Sequence, residues 1–140
     1  PENTMLKALM THLVLRERET VIMDMVAGLE HLGRGTASAV DTMLIVVEPG
    51  KRSLDVAHDI QGLARDLGIP DIWAVGNRVR HQDDLAFIQQ NLGELRMVGW
   101  LPFSERAIEA DMRGLATYDV APDLAARARE IARSIGFGAS

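Results

Sequence analysis

The sequence predicts an α/β fold, a mostly parallel sheet with helices on both faces, and three observations predict it. Short runs that are apolar on both faces alternate with longer stretches whose apolar residues recur every three or four positions. The runs close on Gly, Pro or Asn, the residues that turn a chain or cannot continue a ladder. The resulting order of strand, helix, strand, helix, strand, helix, strand suits right-handed parallel crossovers.

Each element has its own signal. Leu6, Leu9, Met10 and Leu13 follow a capping Asn3 or Thr4 at helical spacing, which predicts a helix over residues ~4–15. Residues 21–25 (VIMDM) read as a first buried strand, ending at a carboxylate and a Gly-rich stretch. Residues 42–47 (TMLIVV) are the second strand, closed by Glu48-Pro49-Gly50. Leu54, Ala57, Ile60, Ala64 and Leu67 mark the next helix, and Gly68 is placed to end it in a left-handed conformation. Residues 72–76 form the third strand before Asn77, and Leu85, Ile88 and Leu92 stripe the following helix. Residues 97–101 form the fourth strand, stopped by Pro102. Ser104 caps a helix that runs through Met112, and Leu124, Ala128, Ile131 and Ile135 stripe the last one.

Composition narrows the function. A length of 140 residues with 47% hydrophobic content fits one domain over 1–140. The net charge of -5 argues against a nucleic-acid binder, whose affinity comes from a basic surface. With no cysteine, the chain makes no disulfide, thiolate nucleophile or thiolate-bound metal centre of its own. No apolar run approaches the ~20 residues of a membrane helix, and no secretory leader is visible, so the expected location is cytoplasmic. His12, His31, His58 and His81 are scattered, without the spacing that sets two imidazoles on one helical face, and the seven methionines fall mostly in apolar stripes. Pro1-Glu2-Asn3, without an initiator methionine, is expected to continue a longer sequence.

In such folds ligands gather at the carboxyl ends of the strands, here residues 24–28, 48–52, 76–78 and 102–105. Asp24 stands four residues before Gly28, an arrangement that can hold a magnesium-bound water beside an amide facing a γ-phosphate. Asp24 as a plain turn residue is the competing reading. The Asn77 amide can both donate to and accept from the edge of a purine, with a turn-forming role as its alternative. No Walker A loop is present. The first Gly position before Gly50-Lys51 is occupied by Ile45, and Arg52 replaces Ser or Thr. The glycines at 28 and 33 have the right spacing, but Arg34 and Gly35 stand where Lys and Ser or Thr are required, so this segment reads as a switch loop.

The run from Val21 through Asp24, Ala27 and Gly28 to Glu30-His31-Leu32-Gly33-Arg34-Gly35 closely resembles the D-x-x-A-G segment and E-H-L-G-R-G extension of CooC-type proteins. These are ATPases of the MinD/ParA-like P-loop group that assist nickel insertion into carbon monoxide dehydrogenase. Val47-Glu48-Pro49 with Arg52-Ser53, Val75-Gly76-Asn77-Arg78-Val79, and Leu101-Pro102 leading to Glu109-Ala110-Asp111 extend the match over nearly the whole chain. The resemblance implies a catalytic pair, Asp24 as magnesium-side carboxylate acting through water and Gly28 as γ-phosphate sensor. It implies base recognition by Asn77 and Arg78, with Pro102 bordering the adenine. ATP or ADP with magnesium would be the cofactors, and carbon monoxide dehydrogenase the client. A homodimer or other self-association is implied, and neither nucleic acid nor membrane as partner. Val26 replaces an expected carboxylate and Arg78 the commoner Lys. By the same resemblance, the Walker A loop and a C-x-C nickel motif belong to an N-terminal half outside this chain, so the sheet is expected to be incomplete and the chain alone inactive. Two other readings stay open, a MinD/ParA-like partner-binding protein or degenerate fragment without hydrolysis, and an ATPase domain like that of cobyrinic acid a,c-diamide synthase. The E-H-L-G-R-G stretch argues against the latter.

Overall fold

The structure, a computed structural model, describes residue 9, residues 19–25 and residues 37–137. Its elements run β1 (Thr42–Val47), α1 (Lys51–Asp66), β2 (Asp71–Val79), α2 (Gln82–Asn91), β3 (Arg96–Pro102), α3 (Glu105–Met112), α4 (Thr117–Val120) and α5 (Pro122–Ser134). The strands form one parallel sheet in the order β1-β2-β3. This is the alternating α/β architecture expected, consistent with a P-loop NTPase-like fold.

Apolar burial builds the layers. Ile45 and Val47 of β1, Leu54 and Ala57 of α1, Ala74 of β2, and Leu85, Ile88 and Leu92 at α2 form one core cluster. Ile88 and Val47 are completely buried in it, and a fully buried side chain of that size contributes about 1.5–3 kcal/mol. The second face is covered by α5. Gly99 pairs with Val75, and a Cβ built on Gly99 would lie 2.6 Å from Ile131 Cγ1, whereas one on the next β2 residue, Gly76, would reach Ile88 of α2. Helices therefore lie on both faces.

The local signals at Gly68 and Ser104 operate as read. Gly68 has φ +80°, and the end of α1 closes with Gly68 N–H donating to Arg65 O and Ile69 N–H to Ala64 O, both at 3.0 Å. That double closure satisfies carbonyls the helix cannot. Ser104 Oγ accepts from Ala107 N–H at 3.2 Å at the start of α3. Pro122 opens α5, where its missing donor costs nothing.

Three expectations need correction. Residues 21–25 form no strand, and Ile22 is 88% exposed. An apolar run becomes a strand only when a neighbouring ladder takes up its N–H and C=O groups, and among the described residues no strand pairs with this segment. The strand expected over 72–76 is longer, because β2 carries Asn77 and Arg78 within it as an irregularity and resumes at Val79 opposite Pro102. In α5 the buried alanine is Ala125, and Ala128 is exposed. The predicted helix over ~4–15 lies, apart from Leu9, outside the described residues, as do Gly28 and residues 29–35.

The tight seat at Gly99 makes a test of the packing. Gly99→Ala forces Ile131 from its place and is expected to destabilise the chain by about 1–3 kcal/mol. Urea denaturation measures this, and an unchanged midpoint would contradict the contact.

Candidate functional site at the carboxyl ends of the strands

The carboxyl ends of β1, β2 and β3 bring Glu48, Asn77, Arg78 and Pro102 to one edge of the sheet. Its centre is an irregularity in β2. Gly76 pairs with Trp100 and Val79 with Pro102, so Asn77 and Arg78 stand opposite the single residue Leu101. An extra residue of this kind re-aims side chains that a regular strand would send alternately to its two faces. Arg78 takes φ +54°, the only positive φ outside glycine among the described residues. A left-handed conformation costs a side-chain-bearing residue roughly 1–2 kcal/mol, and surrounding structure must hold it.

That surrounding structure is visible. Phe103 N–H donates to Val79 O at 2.9 Å, tying the chain beyond β3 to the end of β2. Arg80 N–H donates to Asp84 Oδ2 at 2.9 Å, and its guanidinium lies 5.1 Å from the Phe103 ring centroid. His81 Nδ1 stands 3.8 Å from Asp84 Oδ1. On the other side Arg78 Nε lies 3.6 Å from Glu48 Oε1. Glu48 N–H donates to Ser53 Oγ at 2.9 Å, which fixes the turn into α1.

The predicted site residues divide. Asn77 is half-buried and Arg78 exposed, side by side in the irregularity, and Pro102 ends β3 opposite Val79. Asp24 is exposed in an irregular stretch, and no hydrogen bond or ion pair joins it to another described residue. Gly28 lies outside the described residues. Sequence reasoning missed the Glu48–Arg78 pair and the Arg80–Phe103 stack, both made across strands. Their only linear signal is the concentration of polar residues after three apolar runs. Among the described residues no group of three or more His, Asp or Glu is arranged to hold a metal, and no helix is long and apolar enough to cross a membrane.

Chemically, the edge offers an amide with paired donor and acceptor, a guanidinium with directional donors, and the ring of Phe103 nearby. This set suits the edge and face of a heterocyclic base. Lys51 and Arg52 in the first turn of α1 add positive charge beside it.

Comparison with known proteins gives a consistent picture. The chain is 43% identical over 122 residues to the carbon monoxide dehydrogenase accessory protein CooC of Rhodospirillum rubrum, covering 87% of this chain and 46% of that protein. It is 42% identical over 117 residues to one ATP-binding protein of Methanocaldococcus jannaschii, covering 81% of this chain and 45% of the relative. A second ATP-binding protein of that organism is 33% identical over 109 residues, covering 75% and 43%. The chain thus spans about half the length of the curated relatives it matches. No family profile matches it.

Proposed function

Because the chain belongs to the family of CooC and these ATP-binding relatives, we propose that it supplies the base-recognition and switch portion of an ATP site. The whole protein would serve as a maturation factor for nickel insertion into carbon monoxide dehydrogenase. The observation that carries the reading is the irregularity in β2, which spends backbone strain to present Asn77 and Arg78 together.

In this reading the half-buried Asn77 amide reads the base edge through its donor and acceptor, and Arg78 adds a charged, planar contact beside it. Pro102 borders the same space and, lacking an N–H, leaves no donor unsatisfied there. Asp24, exposed and without a described partner, would orient magnesium through water, and Gly28, which lies outside the described residues, would be the γ-phosphate sensor. When bound, ATP with magnesium supplies the phosphoanhydride whose cleavage drives the change of state. The protein acts in the cytoplasm as a homodimer, and nickel is its cargo, held by residues outside this chain, which has no cysteine.

Nuclear magnetic resonance of the chain titrated with magnesium ATP tests the assignment. Binding is expected to be weak, roughly millimolar, because the described residues offer few phosphate contacts. The perturbed resonances should cluster at Asn77, Arg78 and Phe103, and GTP should perturb them less. Unmoved Asn77 and Arg78 signals at about 10 mM ATP would refute the base-recognition role.

A second reading, association with a partner without hydrolysis, is favoured by one observation. β1 has an open edge among the described residues, and Leu44 and Val46 are exposed on it.

A further inference from the structure

We infer that Glu48 is the positioning residue for Arg78, holding the guanidinium by Nε so that its terminal nitrogens stay available to a ligand. The inference rests on the reading of Arg78 as a base-side contact and names the residue that directs it.

Register comes first. Val47, the last residue of β1, pairs with Gly76, so Glu48 leaves the sheet beside the point where Asn77 and Arg78 break the regular strand. The carboxylate is thereby carried to the irregularity by the backbone itself. Its own main chain is held on both sides, by the Ser53 Oγ contact at 2.9 Å and by Pro49, whose ring fixes φ. The start of α1 therefore fixes the backbone from which the Glu48 carboxylate projects.

Arg78, by contrast, has a backbone conformation that is costly and a long side chain with much rotamer freedom. Among the described residues, Glu48 is its ionic partner. The contact uses Nε at 3.6 Å. At that distance the contact is an ion pair rather than a hydrogen bond, and because the carboxylate stands on the Nε side, the two Nη atoms with their four donors face outward. Arg80, the neighbouring cation, is committed to the Phe103 ring and does not compete for the carboxylate.

Stability is not the reason for such a pair. The Arg78 and Glu48 side chains are 63% and 47% exposed, and an exposed pair at this distance adds little to folding. Its effect is to restrict where the guanidinium waits, which lowers the ordering cost when a ligand arrives. A Lys at position 78 lacks this division of labour, because its single ammonium would have to face either the carboxylate or the ligand.

The test uses the full chain, with Arg78 Nε–Hε observed by nuclear magnetic resonance and magnesium ATP as the probe. Without nucleotide, Glu48→Gln is expected to shift the Arg78 Nε–Hε signal by removing the carboxylate charge beside it, while signals from β1, β2 and β3 stay in place. ATP binding should weaken about two- to fivefold. In an Arg78→Lys background, Glu48→Gln should cause no further loss, because the Nε contact is already gone. An unchanged Nε–Hε signal, tighter ATP binding in Glu48→Gln, or equal losses in both backgrounds would each overturn the inference. If ATP fails to move Asn77 and Arg78 in the unsubstituted chain, the base-side reading fails, and the nucleotide-free signal still decides the clamp.

Discussion

Asp24→Asn is expected to abolish ATP turnover, by about 100-fold or more, in a protein that carries this chain within a complete nucleotide site. A direct form of the experiment replaces the matching 122 residues of the R. rubrum accessory protein with those of this chain, from which they differ at a little over half the positions. The reasoning starts from charge. A carboxylate that orients magnesium through water acts by its negative charge and its acceptor geometry. Asn keeps the volume and one acceptor oxygen and loses the charge. The structure makes the substitution clean, because Asp24 is exposed and makes no hydrogen bond or ion pair with another described residue. Folding should be unaffected, with a change in stability inside the ±0.5 kcal/mol typical of surface positions. Single-turnover hydrolysis and thermal unfolding, measured on the same preparations, separate the two effects. Turnover that survives Asp24→Asn would remove Asp24 from the catalytic role and favour the reading of association without hydrolysis.

How much of this was legible follows from the range of the interactions concerned. The three strands that formed, the left-handed Gly68, the Ser104 cap and the stripe Leu85, Ile88 and Leu92 all depend on residues within a few positions of each other. Such features are written in periodicity and in the chemistry of single residues. The strand predicted at 21–25 failed for a different reason. Its apolarity is real, but a strand also requires a partner ladder, and no local pattern specifies whether one is supplied. Gln61 marks a similar boundary. Its position between Ala57 and Ala64 places it on the buried face of α1, yet as a polar residue it did not enter the stripe. The placement of Asn77, Arg78 and Pro102 at the carboxyl ends of strands was legible because they stand where apolar runs close. The positive φ of Arg78 and its pairing with Glu48 were not, since they arise from a mismatch between β2 and β3 that only the register reveals.

That open partner ladder leads to the second large effect. The chain is expected to self-associate at micromolar concentration, and Val46→Lys is expected to shift it toward monomer. Along β1, Ile45 and Val47 face the core, whereas Leu44 and Val46 alternate to the other side and are 40% and 59% exposed. Val56 is also exposed, and with Val46 and Ile60 it lines a groove of about 450 Å³ between β1 and α1. Among the described residues no strand pairs with the outer edge of β1, so a row of backbone donors and acceptors lies beside an apolar surface. This is the combination that templates pairing with another strand. Burial at ~25 cal/mol/Å² rewards covering that surface, and a second copy presents the same edge in return. A charge on an exposed edge opposes such pairing because its ammonium would have to be desolvated in the contact. Val46 faces away from the core, so lysine there has room and should leave the fold intact. Light scattering across a concentration series distinguishes the outcomes. The unsubstituted chain should show a mass that rises with concentration, and Val46→Lys a mass near the monomer's 15.4 kDa. A stable monomer before any substitution would show that the β1 edge does not drive association.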